Sequence, residues 1–571
     1  MVKAPEGPKA PKDPTKKRPG FYIMQGKQII GSPVDKKGVQ FIYESDGRLL
    51  DAAKLIGGIE DQEIINLLRT VDGFKRLVHS IGVTVESDRS SEEVNFVFQM
   101  YGKTDPYVSG TSIEMPVKMD GMEYIFTLSD AAWSDDDNVP GQIRYEFSEP
   151  GIMASASVKF YLNDGFDAPE TEELTPVKFG SNEYNAIIAK SLMQTGNNYR
   201  LKKAIDKAKS GEKVTMAFIG GSITQGAGAI PINTECYAYK TFKGFCEYTG
   251  RGLDDNVKYI KAGVGGTPSE LGMLRYDRDI LGECTEGPDV VVIEFAVNDE
   301  GDETKGECYD SLARKIYNGP GKPAVILLFA VFSNDWNLQD RLKCVGESYK
   351  LPMVSTLNSV VDQFKLKADS GRVITKSQFF YDMYHPTNSG HTIMADGILN
   401  LIKVVDLAPA DEEFDISDVV PPKGGEFEKV TVIDRLDNNC GAVIACGGFE
   451  ATDTDIQRVE RNTDLFGTPQ FPNNWMHDRN SSKDEPFTMD VECTAILGIF
   501  KDSASVDTGC ADIFVDGEFV LKYDPHDVGW THCNPVILLR GAEHKKHHVE
   551  IRMDDNSKNK DFTILGFGVV L

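Results

Sequence analysis

Alternating strand and helix patterns between residues 184 and 404 constrain the fold of this chain more than any other feature. Apolar runs stand at KVTMAFIG, VKYIKAG, DVVVIEFAVND, AVILLFAVF and LPMVS, with helical stretches between them. Continuous apolar strands of this kind are typical of a parallel sheet that helices cover on both faces. The sequence therefore predicts an α/β domain over 184–405.

Two flanking segments show the two-residue alternation of antiparallel strands instead. Short runs such as NFVFQMYG, EYIFTLSD and ASVKFYLNDG occur between residues 92 and 166, after apolar residues at helical spacing over 48–83. Further runs follow a boundary at 406–425, among them VDGEF, whose Asp-Gly pair is a hairpin signal. Both flanks are thus predicted to be antiparallel β domains.

These patterns divide the chain into four parts. The first 20 residues are rich in Lys and Pro, which favours a flexible basic arm. The chain ends in the apolar run FTILGFGVVL, which we expect to be a buried strand of a docked domain. The predicted parts are 1–20, the arm; 21–183, a largely β accessory domain; 184–405, the α/β domain; and 426–571, a β-sandwich.

The charge and the apolar content exclude several classes of partner. A formal net charge of -27 repels nucleic acid and anionic membranes, so neither is expected as a partner. No run of 18 apolar residues is present, and the N-terminus lacks the apolar core of a signal peptide. The 10 scattered cysteines are typical of reduced thiols, so we expect a cytoplasmic protein.

Gly-rich and polar motifs follow three of the predicted strands, at the end of the sheet where ligands bind. FIGGSITQGAG places Ser222 after a strand, behind small residues that let a substrate approach its hydroxyl. KAGVGGTPSELG places Gly265 and Gly266 at a turn whose backbone N–H can face a developing oxyanion. IEFAVNDEG places Asn298 where its side-chain N–H can do the same.

A fourth motif, YDMYHPTNSGH, brings an acid and a base into one turn. Asp382 lies three residues before His385, so its carboxylate can orient the imidazole that takes a proton from a serine. Alone, each motif has a structural alternative: a helix-capping serine, a tight turn, an Asx cap and a loop histidine with satisfied hydrogen bonds. In this order, the four together favour an acyl-transfer site.

The four motifs resemble those of the SGNH/GDSL hydrolase superfamily, over about residues 215–405. Gly221 stands where the more familiar GDS form has Asp, and Ala296 stands where the family often has Gly. Neither change removes a reacting atom. The resemblance implies a flavodoxin-like, three-layer α/β/α SGNH domain, flanked here by N-terminal and C-terminal antiparallel β domains.

Carried over position by position, the resemblance implies a serine esterase. Ser222 is then the nucleophile, His385 the base and Asp382 the acid that orients it. The backbone N–H groups of Ser222 and Gly266 and the side chain of Asn298 form the oxyanion hole. The mechanism requires no cofactor and no metal ion.

The expected substrate is an acetylated oligosaccharide, because SGNH domains joined to β-sandwiches resemble polysaccharide acetylesterases. Trp336 follows the fourth strand and Trp530 lies in a Gly- and Pro-bounded loop, so both are candidate walls for a sugar ring. A lipase, lysophospholipase or thioesterase of the same superfamily is the alternative within the class, and would need a long apolar groove. A catalytically inert carbohydrate-binding scaffold is the alternative from another class.

Overall fold

The computed structural model describes residues 7–34, 38–43, 46–172, 174–253 and 255–571. Two four-stranded antiparallel sheets make up most of the first part of the chain. They share a core in which the rings of Phe74, Phe98 and Phe160 pack together. The strands in this part of the chain, including the separate pair β1 and β2, are β1 (Lys9–Ala10), β2 (Asp13–Lys17), β3 (Gly20–Ile30), β4 (Val39–Tyr43), β5 (Val78–Glu86), β6 (Glu93–Gly102), β7 (Ser112–Lys118), β8 (Asp120–Thr127), β9 (Asp137–Glu146) and β10 (Met153–Leu162). Its helices are α1 (Asp46–Leu55), α2 (Gln62–Leu67) and α3 (Val71–Leu77).

The strand orders in these sheets are β3-β10-β5-β8 and β4-β9-β6-β7. The prediction of helix over 48–83 is wrong for its last residues, because β5 begins at Val78. This segment is rich in β-branched residues and lies between β10 and β8, so sheet pairing and burial override the helical spacing.

The predicted arm also differs from its expected form. Within 1–20, β1 and β2 pair as a short hairpin, while residues 1–6 lie outside the described residues. Arg18 holds the base of the hairpin, because its guanidinium donates to the Leu162 carbonyl at 3.1 Å and to Asp164 at 3.0 Å. These contacts come from β10 and the turn after it, so the local composition did not reveal them.

The predicted α/β segment contains one six-stranded sheet with the order β11-β16-β15-β14-β12-β13. The last five strands in chain order pair in parallel, and β11 pairs antiparallel at one edge. The strands are β11 (Leu192–Gln194), β12 (Val214–Gly220), β13 (Val257–Gly263), β14 (Val290–Glu294), β15 (Ala324–Phe329) and β16 (Met353–Ser355).

Helices cover both faces of this sheet. Along β14, Val291 and Ile293 share a core with α9 and α10, whereas Val290 and Val292 share a core with α8 and α14 on the other side. This alternation explains why the strand is apolar throughout. The helices are α4 (Asn182–Lys190), α5 (Tyr199–Ser210), α6 (Ser222–Gln225), α7 (Ile232–Glu235), α8 (Tyr237–Thr249), α9 (Ser269–Tyr276), α10 (Glu307–Asn318), α11 (Gln339–Tyr349), α12 (Thr356–Phe364), α13 (Lys376–Phe379) and α14 (Asn388–Leu407).

The C-terminal β domain consists mainly of two five-stranded antiparallel sheets. Asp516 and Gly517 both adopt positive φ at the predicted hairpin, as a two-residue turn between paired strands requires. Its strands are β17 (Val430–Ile433), β18 (Val443–Ala445), β19 (Arg458–Val459), β20 (Thr468–Pro469), β21 (Trp475–His477), β22 (Phe487–Cys493), β23 (Ala495–Asp502), β24 (Ala511–Val515), β25 (Glu518–Tyr523), β26 (His532–Leu539), β27 (Lys545–Met553) and β28 (Phe562–Val570).

This domain packs directly on the parallel-sheet domain. Every residue of β28 is buried, as the apolar end of the chain predicts. Leu497 and Leu565 share one core with Leu271 of α9, and Gly568 approaches Leu274 so closely that an added Cβ would clash with it. The fold is thus mixed α/β, with a largely parallel sheet between antiparallel β domains, as expected. None of the described helices is both long and apolar enough to cross a bilayer.

Candidate active site

Ser222 begins helix α6 directly after the carboxyl end of β12. The glycines before it leave room for close neighbours: a Cβ on Gly220 would lie 2.1 Å from Oγ1 of Thr224, and a Cβ on Gly221 would lie 2.4 Å from Oδ1 of Asn298. Gly221 therefore leaves room for the Asn298 side chain, which a larger residue, such as the Asp of the GDS form, would displace.

Asp382, His385 and Ser222 form a continuous hydrogen-bonded chain. The His385 Nδ1 lies 2.8 Å from Oδ2 of Asp382, and its Nε2 lies 2.9 Å from Oγ of Ser222. Oδ1 of Asp382 accepts the backbone N–H groups of Tyr384 and His385, both at 2.8 Å. The turn between α13 and α14 thus holds the carboxylate in place while its second oxygen faces the imidazole.

The acid of this chain is held in its ionised form. Burial alone would raise the pKa of Asp382, but the facing His385 and the two backbone donors outweigh it and lower the pKa to about 2. A carboxylate beside Nδ1 favours a proton on that nitrogen and leaves Nε2 free to accept one. The arrangement can therefore deprotonate the Ser222 hydroxyl.

The glycine turn, Gly265–Gly266, lies beside Ser222. A Cβ on Gly265 would lie 3.7 Å from Cβ of Ser222, and its N–H is already taken by Oε1 of Gln225 at 2.8 Å. Gly266 has φ +74°, a conformation that glycine adopts without strain. Its N–H makes no hydrogen bond to another residue of the described chain, which leaves Gly266 rather than Gly265 with a free backbone donor.

Asn298 lies in the turn that follows β14, where its backbone N–H donates to Phe295 at 2.9 Å. Its side chain packs against Gly221, one residue before Ser222, and its Oδ1 is buried without a hydrogen-bond partner among the described residues. The structure thus brings together Ser222, Gly266, Asn298, Asp382 and His385, although they come from four separate stretches of sequence.

The two tryptophans lie at different distances from this cluster. Trp530 is 43% exposed, and its ring would contact a Cβ on Gly266 at 2.7 Å, so it borders the glycine turn. Trp336 packs on Phe332, whose ring lies 5.1 Å from that of Tyr384, the residue before His385. Trp530 therefore borders the cluster, whereas the rings of Phe332 and Tyr384 lie between Trp336 and His385.

A lysine of the N-terminal β domain contacts the segment just before Asp382 and was missed in the sequence. Lys27 of β3 donates to the Ser377 carbonyl at 2.6 Å and to the Phe380 carbonyl, at the end of α13 just before Asp382. Burial lowers the pKa of Lys27 to about 7, although Asp382 raises it. No local signal marks Lys27, because more than 300 residues separate it from its partners.

Two carboxyl groups are fully buried behind the cluster. Glu294 ends β14 and accepts a hydrogen bond from Oγ1 of Thr224 at 3.1 Å, while Asp299 accepts the Ser269 N–H at 2.8 Å. Burial raises the pKa of Glu294 to about 8 and that of Asp299 to about 7. The folded chain therefore retains protons that the unfolded chain releases near pH 4.

We expect Glu294→Gln to reduce the loss of stability that accompanies rising pH. A group whose pKa is raised by folding stabilises the fold below its unfolded pKa, and that contribution is lost as pH rises through the folded value, here about 8. Urea unfolding at about pH 5 and about pH 8.5 measures the change in the free energy of unfolding. Exposed Glu300→Gln is the matched control, and an E294Q protein with the wild-type pH slope would contradict the assignment.

Within the described residues, no group of three or more His, Cys, Asp or Glu side chains is placed to hold a metal ion. The hydrogen-bonded chain from Asp382 to Ser222 contains the groups that proton transfer in an acyl-transfer reaction needs.

Comparison with known proteins shows the family of this chain. No family model and no curated protein matches the chain. The crystal structure of a two-domain esterase active on acetylated mannans is similar over 67% of this chain and 99% of that chain, with 30% identity and a TM-score of 0.57. The same esterase with mannopentaose covers 67% and 98%, with 30% identity and a TM-score of 0.56. The chain belongs to the carbohydrate esterases of the SGNH/GDSL type, which are carboxylic ester hydrolases.

Proposed function

We propose that this protein removes acetyl groups from acetylated mannans or closely related oligosaccharides by a Ser-His-Asp mechanism. Ser222 is the nucleophile, His385 the general base and acid, and Asp382 the residue that orients it. The observation that supports this most directly is the 2.9 Å contact between Oγ of Ser222 and Nε2 of His385. The mannan substrate is proposed from the activity of the similar two-domain esterase.

In the first half-reaction, Oγ of Ser222 attacks the acetyl carbonyl carbon as Nε2 of His385 takes the hydroxyl proton. The carbonyl electrons move onto oxygen and form a tetrahedral intermediate. When they return, the bond to the sugar oxygen breaks, and that oxygen takes the proton from His385. The deacetylated sugar leaves, and an acetyl ester remains on Ser222.

In the second half-reaction, water replaces the sugar. His385 accepts a proton from the water, whose oxygen attacks the acetyl carbon. Collapse of the second intermediate breaks the bond to Oγ of Ser222, which takes the proton back, and acetate is released. Asp382 keeps its charge throughout and stabilises the imidazolium that forms in each half-reaction.

The proposed oxyanion hole consists of the backbone N–H groups of Ser222 and Gly266 and the side-chain amide of Asn298. The N–H of Gly266, which has no partner among the described residues, and the packing of Asn298 on Gly221 support these roles. Such donors act chiefly on the charge that develops in the transition state.

We expect Asn298→Ala to lower kcat by roughly 10²–10³-fold with little change in KM, because the lost donor acts mainly in the transition state. Steady-state kinetics on p-nitrophenyl acetate measure both constants. Asn337→Ala, which removes an amide that donates to the Ala330 carbonyl, is the matched control. A loss confined to KM would identify Asn298 as a ground-state binding residue instead.

The substrate is best tested directly. Mannan oligosaccharides acetylated at known positions are incubated with the protein, and NMR of the products shows which acetyl groups are released. Acetylated xylan and pectin fragments are the comparison substrates. A preference for long-chain p-nitrophenyl esters over acetate, with no deacetylation of oligosaccharides, would favour the lipase or thioesterase alternative.

The domain division is also proposed: 21–183 accessory, 184–405 catalytic and 426–571 a β-sandwich. The catalytic part is proposed to have the flavodoxin-like three-layer arrangement, a proposal supported by its strand order and by the cores on both faces of its sheet. Trp530, beside the glycine turn, is proposed to contact the sugar, and Trp336 to contribute only through its packing on Phe332.

A further inference from the structure

Two side chains of the C-terminal β domain hold the glycine turn by its carbonyl groups. Nε2 of Gln457 donates to the Gly265 carbonyl at 2.8 Å, and Nε2 of His532 lies 3.1 Å from the Gly266 carbonyl oxygen. Both side chains are buried, with residue exposures of 8% and 5%. The turn beside Ser222 is therefore fixed by groups that lie 192 and 266 residues further along the chain.

Each of these donors is held in turn by its own domain. Oε1 of Gln457 accepts the Cys533 N–H at 3.0 Å, which orients the amide so that its NH₂ group faces Gly265. Nδ1 of His532 lies 2.8 Å from Oδ2 of the fully buried Asp502, so Nε2 faces the turn. Hydrogen bonds that lock the supporting side chains make their positions preorganised.

The Gly265 carbonyl and the Gly266 N–H belong to the same planar peptide group. A donor on that carbonyl therefore fixes the direction of the N–H at the other end, and it also polarises the peptide and strengthens the N–H as a donor. Gln225 secures the preceding N–H at 2.8 Å, and its own amide donates to Glu460 of the C-terminal domain at 2.6 Å. The peptide is thus restrained from both sides.

We propose that Gln457 and His532 are positioning residues of the oxyanion hole, so that the C-terminal β domain completes the active site. This inference rests on the proposed acyl-transfer function, because it assigns the Gly266 N–H to the oxyanion. It predicts that the domain is needed for turnover of small esters, and not only for binding of a glycan.

The test is Gln457→Met, which keeps the length of the side chain and removes its hydrogen bonds. We expect kcat on p-nitrophenyl acetate to fall on the order of ten-fold with KM nearly unchanged, because a misdirected donor weakens only the transition state. The matched control is Gln470→Met, in the same domain, where the amide oxygen accepts from Arg278 of the catalytic part at 2.6 Å and not from the turn. Its kcat should remain within about two-fold of wild type.

Further variants separate this role from a general loss of packing. Gln457→Glu retains an acceptor for the Cys533 N–H but loses the donor, so its kcat should fall like that of Q457M. His532→Phe should lower kcat, whereas His532→Gln, which offers an amide donor at that position, should recover part of the loss. The pH profile should keep its wild-type shape in all of them, since Asp382 and His385 are untouched.

The outcomes distinguish this inference from the proposed function. If Ser222→Ala abolishes activity but folded Q457M and Q457E proteins keep the wild-type kcat, the positioning role is wrong and the esterase mechanism stands. Equal losses of kcat in Q457M and Q470M would likewise overturn it, because the effect would then be structural. If Ser222→Ala remains as active as wild type, the proposed function falls first.

Discussion

Replacing Ser222 with Ala is expected to lower kcat by a factor on the order of 10⁴ or more while the fold remains intact. Among the described residues, the Ser222 hydroxyl is the only group within hydrogen-bond distance of Nε2 of His385, at 2.9 Å, and in the proposed mechanism this oxygen forms the first bond to the acetyl carbon. Rates on p-nitrophenyl acetate and on acetylated mannan oligosaccharides measure the effect, and circular dichroism checks the fold.

The matched control for this variant is Ser269→Ala. Ser269 begins α9 near the same end of the sheet, and its backbone N–H still reaches Asp299 after the change. Its rate should therefore stay close to wild type. Near-wild-type hydrolysis by a purified Ser222→Ala protein would exclude Ser222 as the nucleophile.

Replacing Asp382 with Asn is expected to lower kcat by roughly 10³–10⁴-fold. Oδ1 accepts two backbone N–H groups, so the amide oxygen takes that place and the NH₂ group faces Nδ1 of His385. The imidazole must then accept at Nδ1 and carry its proton on Nε2, which is the tautomer that cannot deprotonate Ser222.

Steady-state kinetics over a range of p-nitrophenyl acetate concentrations test this expectation, with KM expected to change little. Asp396→Asn is the matched control, since that carboxylate also accepts a side-chain hydrogen bond, but from Tyr184 and not from the imidazole. A D382N protein that keeps kcat within about ten-fold of wild type would show that Asp382 does not set the tautomer.

Local sequence patterns predicted the parts of the site that depend on near neighbours. The Asp382–His385 contact spans three residues, and the strand ends that carry Ser222, Gly266 and Asn298 follow from apolar runs and glycines. The same local reasoning failed over 1–20 and beyond Val78. There, contacts with β10 decide the conformation, and these contacts are remote in sequence.

The assembly of these parts was decided by the tertiary structure. Parallel strands bring their carboxyl ends to one edge of the sheet, where Ser222, Gly266 and Asn298 meet. The turn between α13 and α14 then places His385 against Ser222, although 163 residues separate the two in sequence. The sequence by itself predicted the proposed reacting groups and their order. Only the packing of the C-terminal β domain decided that Gln457 and His532 contact the glycine turn. Contacts between distant segments depend on how whole domains dock, and they therefore leave no periodic or regularly spaced pattern in the sequence.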